Sequence, residues 1–110
     1  MKNKQNIVIF GTSGFALELA ELFKNNYNII GFIGPAPKIK LPFKHIGTDK
    51  KIKSIESNVK CIVAIGDIKT RIKVYTKIKN FKKKIASLIH PNSYFNDGIK
   101  IPQGLICYPH

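Results

Sequence analysis

The chain has 110 residues, 19 of them basic and six acidic, for a formal net charge of +13. That length allows one domain with a modest core, and 44% hydrophobic content excludes a disordered chain. No apolar run approaches the ~20 residues of a membrane span, and two isolated cysteines, Cys61 and Cys107, exclude a disulfide framework or a paired-cysteine metal site.

The first residues lead straight into an apolar run with no signal-peptide core, so the expected setting is a reducing cytoplasm. Cys61 then reads as a small buried hydrophobe on a strand. The charge is carried by 18 lysines and one arginine. The lysines are scattered, and the densest group, Lys77, Lys79, Lys82, Lys83 and Lys84, falls where cations complement a helix C-terminus. A nucleic-acid reader interleaves arginines and aromatics with its basic patch. The expectation here is a solvated lysine surface, with neither nucleic acid nor membrane as partner.

Residues 7–10 form a continuous apolar run ended by glycine, the pattern of a buried strand. Ala16, Leu19, Ala20 and Phe23 then recur at helical spacing, predicting a helix to about residue 25. A second strand is expected over 28–33, followed by a proline-rich loop with a brief extended stretch at 44–46. Thr48 is placed to cap a short helix with Asp49 in its first turn and Ile52, Ile55 and Val59 inward. Residues 61–66 predict another buried strand. Asp67 caps the next helix, in which Ile68, Ile72, Tyr75 and Ile78 share a face opposite Lys69, Lys73 and Lys77. A last compact strand is expected over 85–89.

Buried strands alternating with helices imply an α/β fold, a small Rossmann-like domain with a parallel sheet and right-handed crossovers. Ligands of such sheets sit beyond the carboxyl ends of the strands, where the strand order reverses. Two glycine-ended strands, "VIFG" and "VAIG", point to that edge. After residue 90 the helical period vanishes. Gly98 and Gly104 lie six apart among Ile99, Ile101 and Leu105, as in the opening of a repetitive β-structure that needs further repeats to bury its face. The expected division is 1–90 and 91–110, the chain being read as part of a longer protein.

The turn Gly11-Thr12-Ser13-Gly14 enters a helix whose N-terminal N–H groups and dipole suit a phosphate. A β-branched side chain at position 11 would fill such a cradle. A tight strand-to-helix turn would by itself also account for Gly11 and Gly14. The spacing is not G-x-G-x-x-G, and Gly34-Pro35 stand where a dinucleotide fold carries its ribose-binding acid, which argues against NAD. In the second turn Gly66 admits a close ligand, Asp67 caps, and the planar fork of Arg71 suits phosphate oxygens. Surface solvation of Arg71 is the competing account. His45, His90 and His110 lie in unrelated segments, the acids form no pair, and Ser13 has no neighbouring base, so no catalytic constellation is expected. No metal site is expected either.

Taken in order, "IVIFGTSGFALELAELF", "NIIGFIGP", "HIGTDKKI", "CIVAIGDIKTRIKVYTKI", "ASLIHPNSYF" and "GIKIPQGLICYPH" resemble the N-terminal part of the NeuD/PglD-type sugar acetyltransferases, bacterial hexapeptide-repeat acyltransferases. The resemblance runs over essentially the whole chain and rests on the order of the segments. It implies a Rossmann-like domain that binds a nucleotide-sugar, commonly a UDP-sugar. A left-handed β-helix would follow, starting within 91–110; it forms the trimer, binds acetyl-CoA and supplies the catalytic histidine.

By position it assigns Gly11, Thr12, Ser13 and Gly14 to the first turn of the substrate site, and Gly66, Asp67 and Arg71 to the second. Phe15 stands where the family often has histidine, near the phosphates or sugar, and Gly34-Pro35 where it often has acids. No catalytic residue falls within the 110, so the chain by itself is expected to bind and not to transfer, with no cofactor of its own. Non-catalytic nucleotide binding, or a role as an interaction module, is the alternative.

Overall fold

The computed structural model describes residues 4–86 and the backbone of two further short strands. The elements are β1 (Gln5–Phe10), α1 (Gly14–Phe23), β2 (Tyr27–Ile33), β3 (His45–Gly47), a 3-10 helix (Asp49–Ser54), β4 (Lys60–Val63), α2 (Ile68–Asn80) and β5 (Lys84–Ile85). The five strands form one parallel sheet in the order β3-β2-β1-β4-β5. Strand order reverses between β1 and β4, as in a Rossmann-like fold.

The apolar run of β1 is continuous because both faces of the sheet are covered. Ile7 and Ile9 pack with Ala16, Leu19, Ala20 and Phe23 of α1, all fully buried. Val8 and Phe10 face the opposite cluster, which contains Ile52, Val74 and Ile78. Burying each of the valine, leucine, isoleucine and phenylalanine side chains among them contributes roughly 1.5–3 kcal/mol. A bulge interrupts the pairing of β1 with β2: Ile7 faces Ile29 but Val8 faces Gly31. Ile30 is the extra residue and stands exposed.

Cys61 is buried in β4, as expected. Burial pushes its thiol up to about 11, against a weaker opposing pull from Lys83, so it is not a reactive thiolate.

Three expectations are corrected. Ile68 and Ile72 do not face the core but are 62% and 58% exposed. The packing face of α2 is set by Val74 and Ile78, four apart, and Ile72 lies two residues before Val74, nearly opposite it on a helix of 3.6 residues per turn. The short helix after Thr48 is 3-10, with Ile52 buried and Ile55 only partly so. The strand expected over 85–89 is divided. The central sheet ends at Ile85 with one further ladder bond from Ala86 N–H to the Cys61 carbonyl (2.8 Å).

Beyond it, β6 (Leu88–Ile89) pairs in parallel with β7 (Ile106–Cys107), Leu88 opposite Ile106. Apart from those two strands, the expected second domain at 91–110, with Gly98 and Gly104, lies outside the described residues, as do His90 and His110.

Candidate functional site

The reversal of strand order brings the C-terminal ends of β1 and β4 together. The Ala64 N–H donates to the Phe10 carbonyl, and the Gly11 N–H donates to the Ile33 carbonyl, both at 2.8 Å. Gly11 has φ +134°, and a Cβ there would overlap the Ala64 carbonyl oxygen. Its glycine is therefore demanded by the approach of two strands, and its N–H is already spent. A valine at 11 would break this junction before it reached any ligand.

Around this junction lies a cleft of about 320 Å³, lined by residues 10–13 and 33–35 with Asp49, Ile65, Thr70 and Val74. A second recess of about 210 Å³ is lined by residues 12–14, Pro35, Ala36, Lys38 and Ile39. The two share Thr12, Ser13 and Pro35. The larger volume falls at the lower end of the roughly 300–1,000 Å³ usual for small-molecule sites.

The two helices that open onto this edge begin differently. Ser13 is the N-cap residue of α1 but its hydroxyl makes no capping bond, and no acid stands in the first turn. The first helical bond runs from Leu17 N–H to the Ser13 carbonyl (3.1 Å), so the N–H groups of Gly14, Phe15 and Ala16 have no partner within the helix. A Cβ at Gly14 would meet nothing within 4 Å. At α2, Asp67 accepts from Thr70 N–H (2.9 Å) and from Thr70 Oγ1 (2.6 Å). Those two bonds, the hydroxyl's first, hold its carboxyl below the usual range. The positive end of α2 is thus neutralised by its own chain, and that of α1 is left open.

Of the residues expected from the sequence, Gly11, Thr12, Ser13 and Gly14 line one or both recesses. Phe15 packs against the core cluster on the α1 face and lines neither recess. Gly66 and Asp67 stand exposed at the start of α2, and Asp67 is engaged as a cap. Arg71 is half-buried, and its guanidinium acts on the neighbouring Tyr75 phenol, whose pKa burial raises. Thr70 and Val74 line the larger cleft; Arg71 does not.

Sequence reasoning missed His45, Asp49 and Lys38. His45 Nε2–H donates to the Gly34 carbonyl (2.9 Å), and the Gly34 N–H donates to the Gly47 carbonyl (2.8 Å), bracing the corner that lines the cleft. Asp49 accepts from Lys77 Nζ at 3.0 Å across the cleft wall. Asp49 gave itself away only as a helix-start acid, and Lys38 was one lysine of 18.

Among the described residues no three His, Cys, Asp or Glu side chains gather as for a metal, and no helix is long and apolar enough to cross a membrane.

No curated protein gives a significant match to the chain. Among solved structures, the acetyltransferase domain of PglB from Neisseria gonorrhoeae FA1090, in complex with acetyl coenzyme A, matches with a TM-score of 0.81 at 23% identity. The match covers 94% of this chain and 53% of that one. PerB from Caulobacter crescentus, in complex with CoA and GDP-perosamine, matches with a TM-score of 0.82 at 21% identity, over 94% and 51% of the two chains. At such identity the likeness is one of fold, and this chain spans about half the length of either structure. The family model for the PglD N-terminal domain matches residues 6–78, two-thirds of the chain. With the parallel sheet and its two glycine turns in the expected order, the chain belongs to the PglD N-terminal domain family, the N-terminal module of NeuD/PglD-type sugar acetyltransferases.

Proposed function

We propose that this domain holds the diphosphate of a nucleotide-sugar, a UDP-sugar in the first instance, at the N-terminus of α1. It would be the substrate-binding part of an acetyl-CoA-dependent sugar O- or N-acetyltransferase of surface glycan synthesis. The observation that carries the reading is the uncapped, acid-free start of α1 set between two recesses that share Thr12 and Ser13. Unpaired N–H groups and the helix dipole favour an anion there. The larger cleft then takes the nucleoside. The smaller takes the sugar side, with Lys38 adding positive charge.

Two further findings support the wider assignment. PerB is described with both CoA and GDP-perosamine, and the PglB domain with acetyl coenzyme A. In addition, β6 and β7 pair in parallel with an offset of 18 residues, three hexapeptides, the length of one coil in a hexapeptide β-helix. Acetyl-CoA, the acyl-transfer residues and the trimer contacts belong on this reading to that β-helix, and the cytoplasm is where both substrates would be met. Gly11 to Gly14 form the floor and helix entry of the site. Gly66, Asp67 and Arg71 would form its second turn, beside Thr70 which lines the larger cleft, and Phe15 packs α1 against the core.

The test is calorimetric titration of the chain with UDP, GDP and a short random DNA at two salt concentrations, repeated with Ser13→Asp. Aspartate is a good cap, so the variant keeps or gains helix stability while placing a carboxylate where the diphosphate would lie. Saturable nucleotide binding that survives moderate salt, with at least about tenfold loss in Ser13→Asp, is expected; that corresponds to roughly 1.4 kcal/mol. Silence toward both nucleotides, or equal affinity in the folded variant, overturns the proposal. Binding of DNA that collapses with salt would favour a basic nucleic-acid binder.

A further inference from the structure

A nucleotide in the larger cleft needs an acceptor for its ribose hydroxyls, and in doubly wound folds a carboxylate at the end of the second strand usually supplies it. That position is closed here. Gly34 follows β2 with φ +156°, and a Cβ there would press on the Thr12 methyl at 3.2 Å. Pro35 comes next. Gly34 could not carry an acid without straining the turn, and Pro35 offers no acceptor side chain.

Resting on the nucleotide reading above, we propose that Asp49, reaching the same cleft from beyond the neighbouring strand β3, accepts the hydrogen bond of the ribose 2′-hydroxyl and so selects ribonucleotide ligands.

Asp49 stands beside the vacated position because β3 pairs with β2, Ile33 opposite Gly47, and the Gly34 N–H is held by the Gly47 carbonyl at 2.8 Å. It is the one carboxylate among the residues that line the cleft. Its Oδ2 accepts from Lys77 Nζ at 3.0 Å, which fixes the group, and Oδ1 takes no hydrogen bond among the described residues. Its place also follows from charge. A carboxylate next to the diphosphate would repel it, so Asp49 serves the nucleoside end, and a neutral hydroxyl is the donor that suits an acceptor already paired with a lysine.

The experiment titrates the chain with UDP and 2′-deoxy-UDP, and with GDP and 2′-deoxy-GDP. A single bond from a half-exposed carboxylate predicts about tenfold weaker binding of the deoxy compounds. Asp49→Ala, which removes the acceptor, should lower the ribonucleotide to the level of its deoxy analogue and leave the analogue unchanged or tighter, since a negative charge has gone. Lys77→Met breaks the ion pair but leaves Asp49, and should retain the discrimination. Equal binding of ribo and deoxy forms by the unmodified chain overturns the inference and leaves the nucleotide reading intact. A parallel loss of both forms in Asp49→Ala also overturns it, since that marks a role in folding alone. Silence toward all four compounds overturns both.

Discussion

Gly11 and Gly14 stand three residues apart and are separated by what surrounds them. At Gly11 the Ala64 carbonyl occupies the place of a side chain and the backbone has φ +134°, so any substitution strains the junction of β1 and β4. Gly14 has open space and an ordinary φ, so the protein itself demands nothing there. Lys82 presents the opposite case, a residue with a side chain where glycine would fit. It closes α2 with φ +56°. Lys83 N–H donates to the Ile78 carbonyl (3.1 Å) and Lys82 N–H to the Lys79 carbonyl (2.9 Å), a Schellman ending. A left-handed conformation costs a non-glycine residue roughly 1–2 kcal/mol, partly offset by glycine's greater freedom in the unfolded chain. Lys82→Gly is therefore expected to stabilise by about 0.5–1 kcal/mol, where each kcal/mol moves the melting temperature by roughly 4–8 °C. Thermal denaturation beside Lys82→Ala, which keeps the strain and removes the charge, identifies the cause: only the glycine variant should gain.

At the scale of the element, α1 and α2 divide the work of the sheet edge by their first residues. Asp67 gives α2 a charged cap. Its folded pKa lies below the ordinary 3.8, so its stabilisation is complete above that value and fades as pH falls through the lowered one. Asp67→Asn keeps a capping oxygen without the charge. The unmodified chain is expected to melt at a higher temperature than this variant near pH 6, with the difference closing below about pH 4. A difference that persists at pH 2 would remove the charge from the explanation.

The same two helices mark what could be read in advance. The stripe of Ala16, Leu19, Ala20 and Phe23 was legible because one apolar face stands against a polar one. In α2, isoleucines at 68, 72 and 78 sit among lysines on three sides, and periodicity cannot tell which apolar residues meet the sheet. Packing at Val74 decides it. The glycine turns were visible as local patterns. The pairing of Asp49 with Lys77 across 28 residues and the bond from His45 to Gly34 were not, since both depend on which strands become neighbours.

For the whole molecule the dominant fact is charge. Nineteen basic residues face six acidic ones, so pairing with acids cannot cancel the excess; three engaged lysines stand among the described residues. Lys77 pairs with Asp49, Lys24 with Glu21 at 2.9 Å, and Lys83 Nζ donates to the Ile55 carbonyl at 2.6 Å. The two ion pairs are substantially exposed, and pairs of that kind contribute roughly 0–1 kcal/mol each. Against them stands the mutual repulsion of a +13 chain held in a compact form, which unfolding relieves. Salt weakens both, but repulsion sums over many more pairs than attraction does. The screening length shortens from about 30 Å at 0.01 M to about 8 Å at 0.15 M, and the domain's radius of gyration of 13.6 Å lies between. The melting temperature is therefore expected to rise between these two sodium chloride concentrations in the absence of ligand. A fall would mean that the few ion pairs outweigh the lysine surface, and would make Asp49–Lys77 a larger contributor to stability than its exposure suggests.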